Sequence, residues 1–508
     1  MEEKLAKEKE VLDYLNISRT TLWRLKKEGL PIVKVGNSYR YEIEDVKEWI
    51  AKEENVTYQN QNKIISTEIQ NDTENPILTH ISGENETDLN NNERIIQEYP
   101  ISLVYLLEHN QKYLQKIFDA ETIKKLAQSL ANYDDLGLTN AKIVKIFSFE
   151  YLKLLKEQHQ QETRPDTYNP DLQRFINQPN NAIRVVWGNC LDILKQMESE
   201  SIQLMVTSPP YYNARDYSQW ENIDLYLEDM RQIIRESWRV LDNHRVWVWN
   251  VGDIFDNDRK VTKSVWGKRR IPLGAYFIKI FEEEGFEFVD DIMWDKGEVE
   301  SKRFMNGGMD YPFYQYPMNC YEHILIFHKH RLDNTKIPCP VCGSLNVNGN
   351  TQSEIGVQSW ECKNEKCFIR SPNNRGKRFS LRTNMMQYWF DEDKNNVIEK
   401  SVQNKWRRDI VPFSPVIKVN SKGENILGHS APFPEDIPEM AIKYFSYAGE
   451  KVLDPFGGSF TTPIVARNLH RTGIGIELNK EMYREAILRK IRSSQNLFGS
   501  EGNLFDEF

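Results

Sequence analysis

The sequence has few cysteines, no long apolar run and no apolar leader, and each absence excludes a class of protein. Six cysteines in 508 residues are too few for a disulfide-rich scaffold. No stretch approaches the roughly 18 consecutive apolar residues of a membrane-spanning helix. The first ten residues are mostly charged, unlike a secretion signal. We therefore expect a cytoplasmic protein that does not associate with membranes, with about three domains.

Positive charge is also in deficit, because the formal net charge is −9. This balance excludes a uniformly basic protein that coats nucleic acid, but it leaves room for local basic sites. Cations gather in three stretches, at 19–40, 259–270 and 363–382. We expect any contact with nucleic acid to be confined to these stretches.

Residues 1–54 carry the order helix, turn, helix, hairpin, helix, which is that of a winged helix-turn-helix. Ser18 is a favourable N-cap for the second helix, and Gly36-Asn37-Ser38 is a turn between two strand-like runs. The unit resembles the excisionase or MerR-like family, which implies DNA binding; a protein-interaction module is the alternative. The resemblance implies DNA contacts at Arg19, Thr20, Thr21, Arg24, Lys34 and Arg40.

The next two segments carry no recognisable chemistry. Residues 55–95 are rich in Asn, Gln, Thr and Glu and lack apolar periodicity, which predicts a flexible linker. Residues 96–165 regain the periodicity of amphipathic helices. We expect a small helical domain there that acts as a spacer.

From about residue 180 the pattern alternates between strands and helices. Residues 183–187 and 202–206 have the pattern of strands, and the nearly unbroken apolar run at 246–251 is typical of a buried parallel strand. The alternation predicts an α/β fold with a doubly wound, mostly parallel sheet. We expect this core in two parts, 180–330 and 401–495, followed by a tail at 496–508.

A rigid loop, Ser208-Pro209-Pro210-Tyr211, directly follows one predicted strand. The two prolines restrict the loop and leave carbonyl groups without helical partners. Ser208 supplies a hydroxyl group and Tyr211 an aromatic face. Acceptors beside a stacking ring suit an extruded base that carries an exocyclic amine. For these four residues alone, an ordinary proline-rich loop is the alternative.

A second motif begins at Asp454 and has the order strand, glycine turn, helix. Glycines at such a turn allow a ligand to approach the backbone at the helix N-terminus. Glu477 ends the following strand, where a carboxylate can bind ribose hydroxyl groups. The alternative is a tight turn with a purely structural role.

Together the two motifs resemble the beta-type, S-adenosylmethionine-dependent DNA amino-methyltransferases, over about 183–330 and 405–490. Further segments match in the same order, at 188–194, 238–241, 250–253, 285–296, 321–325 and 429–434. The resemblance implies a Rossmann-like methyltransferase acting on double-stranded DNA, with catalysis by Ser208, Pro209, Pro210 and Tyr211. It implies binding of S-adenosylmethionine by Asp454, Phe456, Gly457, Gly458, Ser459, Thr461, Glu477, Phe433, Pro434 and Asn189.

The resemblance also bears on the target base and on partners. The serine form of the loop favours N4 of cytosine, and N6 of adenine is the alternative. A cognate restriction endonuclease is a common partner in the family. One departure is Phe460, where the family usually has a second glycine. A non-enzymatic DNA-binding regulator with a degenerate cofactor site is therefore the alternative from another class.

Four of the six cysteines, Cys339, Cys342, Cys362 and Cys367, have the spacing of a structural zinc site. Four thiolates complete a tetrahedral coordination and leave no open position for catalysis. We expect a zinc ribbon at 331–400 that interrupts the core and takes part in target recognition. Cations there and in the preceding loop predict DNA contacts at Lys268, Arg269, Arg375 and Arg378. A solvated basic face on a stabilising ribbon is the alternative.

Overall fold

The computed structural model divides the chain into two compact units, Met1–Ile95 and Ile96–Phe508. In the second unit the structure describes residues 101–133, 138–179, 183–213, 219–256, 269–297, 319–332, 335–352, 357–367, 378–381, 394–413, 434–494 and 505–508. In the first unit it describes residues 6–7, 11, 30–35, 38–41, 43 and 45–46.

The first unit contains a three-stranded antiparallel sheet. Strands β2 (Val33–Val35) and β3 (Ser38–Tyr41) form the hairpin predicted from the sequence, with Val33 opposite Arg40. Strand β1 (Ala6–Lys7) pairs with the other side of β3 and was not predicted. The buried side chains of the described residues are apolar: Val11, Leu30, Tyr41 and Val46. The predicted recognition helix lies outside the described residues.

The second unit is built on a nine-stranded sheet with helices on both faces. Its strands are β4 (Ile183–Trp187), β5 (Ile202–Thr207), β6 (Leu241–Val251), β9 (Phe286–Asp295), β10 (Tyr321–Lys329), β14 (Ile410–Pro412), β15 (Lys451–Asp454), β16 (Thr472–Glu477) and β17 (Phe505–Glu507). A separate hairpin pairs β7 (Ile254–Asp256) with β8 (Arg269–Ile271).

Eleven helices are described. They are α1 (Leu103–Leu114), α2 (Ala120–Ala131), α3 (Asn140–Glu162), α4 (Pro170–Ile176), α5 (Cys190–Gln196), α6 (Ile223–Val240), α7 (Leu273–Glu283), α8 (Lys400–Lys405), α9 (Asp436–Phe445), α10 (Thr461–Asn468) and α11 (Lys480–Ser493). A single 3₁₀ turn spans Lys394–Asn396. In the described part of the chain, no helix is long and apolar enough to cross a membrane.

The strand order is β14-β9-β10-β6-β5-β15-β16-β4-β17. The six strands from β6 to β17 are parallel, as predicted, but β10 runs antiparallel to both of its neighbours. The sheet is therefore mixed. The carboxyl ends of β4, β16, β15, β5 and β6 meet at one edge, which we call the carboxyl edge. Because β10 is reversed, its first residues lie at this edge too.

The sheet is buried on both faces because its central strands alternate between two apolar cores. On β5 and β6, Met205, Trp247 and Trp249 pack with helices α4 to α7. Leu204 and Val206 face the other way, against helices α9 and α10. This two-sided burial explains the nearly unbroken apolar run at 246–251.

Residues 505–507 form a strand of the sheet. The prediction of a tail at 496–508 is therefore wrong for these residues. Strand β17 pairs in parallel with β4, and Phe508 N–H donates to the carbonyl of Val185. Asp506 forms an ion pair with the buried Arg184. The sequence pattern could not reveal this, because three residues are too few to show a period and their partner is more than 300 positions away.

The three helices α1 to α3 are not an isolated spacer, because they share a core with the cysteine-rich segment. Leu345 is buried among the apolar side chains of these helices. The buried Asn110 amide donates to the carbonyl of Gly343 (2.9 Å) and accepts from Leu345 N–H (2.7 Å). The cysteine-rich segment also contains a small sheet of β11 (Val347–Gln352), β12 (Gln358–Cys362) and β13 (Arg378–Phe379).

Candidate active site

A buried tyrosine anchors the loop at residues 208–211, which we call the proline loop. The loop begins where β5 ends, at the carboxyl edge, and the hydroxyl of Tyr226 on α6 donates to the carbonyl of Pro210 at 3.0 Å. Burial raises the pKa of Tyr226, so this hydroxyl keeps its proton. The bond therefore anchors the loop at the Pro210 carbonyl.

A chain of polar contacts runs from Ser208 along the carboxyl edge. The hydroxyl oxygens of Ser208 and Tyr211 are 3.4 Å apart, and the Tyr211 hydroxyl donates to Oε2 of Glu322 at 3.0 Å. Lys296 Nζ donates to Oε1 of the same carboxylate at 2.6 Å. Burial, together with the charge of Glu322, raises the pKa of Tyr211 well above its usual value. Tyr211 is therefore a neutral hydroxyl group.

A buried hydrogen bond joins the proline loop to the glycine turn that follows Asp454, which we call the glycine loop. Thr207, the last residue of β5, donates to Oδ1 of Asp454, the last residue of β15, at 2.5 Å. The same oxygen accepts from the N–H of Phe456 at 3.1 Å. Burial raises the pKa of Asp454 to about 7, although these hydrogen bonds act in the opposite direction. The first residues of the two loops are thus held side by side.

Glu477 organises the other side of the glycine loop. Its Oε2 accepts from Gly458 N–H and its Oε1 from Asn479 N–H, both at 3.0 Å. At Gly457, a Cβ would lie 2.7 Å from the ring of Phe460 and 3.1 Å from the carbonyl of Ile476. A side chain is therefore excluded there, because Phe460 and strand β16 fill the space, and the Gly457 N–H donates to the carbonyl of Ile476 at 2.7 Å. A carboxylate at a strand end beside such a turn suits the ribose hydroxyl groups of a nucleoside cofactor.

Phe460 does not obstruct this loop. Its φ is +58°, a conformation that favours glycine, and its ring is fully buried. The ring lies in a core with Ile183, Val185 and Tyr483. Gly475 on β16 makes room for it, since a Cβ there would lie 2.6 Å from the ring. The departure from glycine at this position is therefore absorbed by the hydrophobic core.

Comparison with known families agrees with this geometry. The profile of the N6/N4 methyltransferase family, described as DNA methylase, matches residues 202–488, more than half of the chain. A helix-turn-helix domain profile matches residues 8–54. The chain belongs to the N6/N4 DNA methylase family. It has the beta-type order, in which the proline loop precedes the glycine loop.

Individual relatives are similar to this methylase over about 60% of its length. The Type II beta methyltransferase M.BslI of Bacillus sp. (strain NEB-606) is 38% identical over 62% of this chain, and the match spans 28% of that relative. The Type II methyltransferase M1.MboII of Moraxella bovis is 27% identical over 59% of this chain and 92% of its own length. Among solved structures, the cytosine-N4-specific PvuII DNA methyltransferase has 16% identity and a TM-score of 0.37, covering 62% of this chain and 89% of its own.

The other predicted cofactor residues of the methylase have distinct surroundings. Asn189 caps helix α5, with its side chain accepting from Leu191 N–H at 2.9 Å. The Ser459 and Thr461 hydroxyls are 3.0 Å apart, and both accept from Lys490 Nζ. Pro434 is buried at the start of helix α9. Phe433 lies outside the described residues.

Few of the predicted DNA contacts can be placed. Arg269 on β8 and Arg378 on β13 are exposed. Lys34 and Arg40 belong to the strands of the hairpin, but their side chains are not described. The remaining predicted contacts lie outside the described residues: Arg19, Thr20, Thr21, Arg24, Lys268 and Arg375.

The four clustered cysteines are buried and face one another. The sulfur atoms of Cys339 and Cys367 are 3.9 Å apart and those of Cys342 and Cys362 are 3.7 Å apart. All four sulfurs lie within 4.8 Å of one another. A tetrahedral zinc ion with Zn–S bonds of about 2.3 Å requires sulfur separations of about 3.8 Å. The donor set therefore fits zinc.

Lys296 and Glu322 lie in segments that match the methyltransferase family, but the sequence did not assign them to the site. Thr207 and Lys490 were not assigned either. The available signal was local: Lys296 and Glu322 each lie next to an apolar run, where strand ends meet. Which strand ends share an edge depends on the direction of β10, and a single sequence does not show that direction.

Replacing Asp454 with asparagine should change how stability depends on pH. The pKa of Asp454 rises on folding from 3.8 to about 7. The folded state therefore binds its proton more tightly, and the contribution of this group to stability falls as pH rises through that window. Asp454→Asn does not titrate, so its stability relative to the parent should rise between pH 5 and pH 8. Urea denaturation at the two pH values measures the difference.

The matched control for this prediction is Asp171→Asn, which replaces an exposed carboxylate on helix α4. It should show the same pH trend as the parent protein. A difference between Asp454→Asn and the parent that stays constant with pH would contradict the assignment.

Proposed function

We propose that this chain transfers a methyl group from S-adenosylmethionine to N4 of cytosine in double-stranded DNA. The observation that carries the proposal is the buried Thr207–Asp454 hydrogen bond, which places the Ser-Pro-Pro-Tyr loop beside the glycine loop. One loop offers acceptors and an aromatic ring for a flipped base. The other offers a backbone cradle and a ribose-binding carboxylate. Serine at position 208, where an adenine enzyme typically has aspartate, favours cytosine.

The proline loop prepares the amine of the base for attack. The nitrogen lone pair of cytosine N4 is delocalised into the ring, so the free amine is a weak nucleophile. The Ser208 hydroxyl and the Pro209 carbonyl accept its two N–H groups and thereby return electron density to nitrogen. Tyr211 stacks on the extruded base. Catalysis then depends mainly on holding the amine in line with the methyl group.

The glycine loop holds the cofactor, which supplies an electrophilic methyl group on a sulfonium sulfur. Glu477 binds the ribose hydroxyls, and its position is fixed by the N–H groups of Gly458 and Asn479. Phe456, which lies edge-on to Trp249 at 6.2 Å, closes the apolar side of the site. Because glycine occupies position 457, the loop can pack closely on Phe460 and strand β16, which fixes the turn that carries Gly458.

The first test uses the purified chain with radiolabelled S-adenosylmethionine and unmethylated DNA. We expect labelled DNA, and N4-methylcytosine when the nucleosides are separated by mass spectrometry. Ser208→Ala removes one acceptor of the amine and should lower the methylation rate by about 100-fold or more.

Ser493→Ala is the matched control, since it removes an exposed hydroxyl on helix α11 and should leave the rate unchanged. N6-methyladenine as the product would overturn the assignment to cytosine. Absence of any transfer to DNA would overturn the enzymatic function and favour a DNA-binding regulator.

We also propose that the four-cysteine cluster holds one structural zinc ion. The turn at residues 339–343 of this cluster, which we call the knuckle, packs on helices α1 to α3. A Cβ on Gly343 would lie 2.7 Å from the side chain of Leu106. Metal analysis should find one zinc per chain. Cys342→Ser should lose the metal and also destabilise these helices, which share their core with the knuckle. Metal content and thermal denaturation monitored by circular dichroism measure both effects.

Cys320→Ser is the control for the zinc proposal, because Cys320 is partly exposed and outside the cluster. It should retain the zinc. A purified parent protein that contains no zinc and is indifferent to chelators would contradict the proposal.

We further propose that the exposed cations, with the helix-turn-helix unit, contact the DNA backbone, and that a cognate restriction endonuclease reads the same site. Arg269→Ala with Arg378→Ala should weaken binding at all sequences. Each lost phosphate contact should flatten the salt dependence of log Kd by about 0.9. Fluorescence anisotropy at several salt concentrations measures the slope. Arg174→Ala, an exposed cation on helix α4 outside the stretches predicted to contact DNA, should leave it unchanged.

A further inference from the structure

We propose that Glu322 receives the proton released by the methylated amine, through Ser208 and Tyr211. This inference rests on the proposed function and adds a proton acceptor to it. The three side chains form a continuous path, with oxygen separations of 3.4 Å and 3.0 Å. Contacts of this kind are often long in the free enzyme and shorten when substrate binds.

The directions of the hydrogen bonds fix the role of each hydroxyl. A carboxylate oxygen can only accept, so the Tyr211 proton points towards Glu322 Oε2. The Tyr211 oxygen is then an acceptor for the hydroxyl proton of Ser208. With its proton directed to Tyr211, Ser208 presents lone pairs to the amine. The path therefore explains why Ser208 accepts from the substrate rather than donating to it.

The surroundings of Glu322 accommodate its side chain and its negative charge. Lys296 holds its second oxygen and balances the negative charge. Gly252 leaves the space that the side chain occupies, since a Cβ there would lie 2.9 Å from Glu322 Cγ. The next residue along β10, His323, points to the opposite face and bonds with Asp291 at 2.8 Å. Among the residues that the structure describes, the titratable groups in contact with Glu322 are Tyr211 and Lys296.

The proton balance is complete without a further reactant. The amine nitrogen bonds to the methyl carbon while the carbon–sulfur bond breaks, and both electrons of that bond leave with sulfur. The surplus proton of nitrogen passes to Ser208, the hydroxyl proton of Ser208 to Tyr211, and that of Tyr211 to Glu322. Glu322 ends protonated and later releases the proton to water.

The decisive variant is Glu322→Gln, which keeps the size of the side chain but cannot accept a proton. We expect the single-turnover methylation rate to fall by about 100- to 10,000-fold. The Kd values for DNA and for S-adenosylmethionine should change by less than about twofold. In mixtures of H₂O and D₂O, the parent rate should depend non-linearly on deuterium content, because several protons move together. In Tyr211→Phe, which interrupts the path, the dependence should become linear.

Asp291→Asn is the matched control, since it replaces a carboxylate on the neighbouring strand that faces away from the path, and it should retain the parent rate. A Glu322→Gln protein that methylates at the parent rate would overturn the relay while leaving the proposed function intact. If the glutamine variant fails to fold, a linear deuterium dependence of the parent protein overturns the relay equally. A parent protein without methylation activity would instead overturn the proposed function, and the relay with it.

Discussion

The hydrogen bond between Thr207 and Asp454 is the contact on which the site depends. It joins two residues that are 247 positions apart, at the ends of adjacent parallel strands. Both side chains are buried, so leaving either group unpaired would carry the full cost of its desolvation. Because this bond fixes the start of each loop, the proline loop and the glycine loop have a defined separation.

The reversed strand β10 determines what else reaches the carboxyl edge. A parallel strand in its place would deliver its last residues there, but an antiparallel strand delivers its first. Glu322 therefore arrives beside Tyr211, and Lys296, which directly follows β9, arrives beside Glu322. The edge thus gains a charge-balanced carboxylate that the parallel strands do not provide.

The same reversal places the cysteine-rich segment away from the carboxyl edge. The far end of β10, at Lys329, lies at the edge opposite the proline loop, and the cysteine-rich segment follows from there. Its knuckle packs on helices α1 to α3. Asn110 of helix α1 accepts from Leu345 N–H, and the Leu345 side chain is buried in the core of these helices. The cysteine cluster therefore packs against a helical region and lies away from the carboxyl edge.

The sequence by itself determined the local features: the Ser-Pro-Pro-Tyr loop after a strand, the glycine turn with Glu477, the cysteine spacing and the parallel part of the sheet. These follow from residue types at short range, where apolar periodicity and turn chemistry are sufficient. Only the tertiary structure decided that Phe460 turns into the core, that residues 505–507 complete the sheet, and that Glu322 meets Tyr211 across 111 positions. These outcomes depend on strand direction and on packing between distant segments, neither of which leaves a local pattern in the chain.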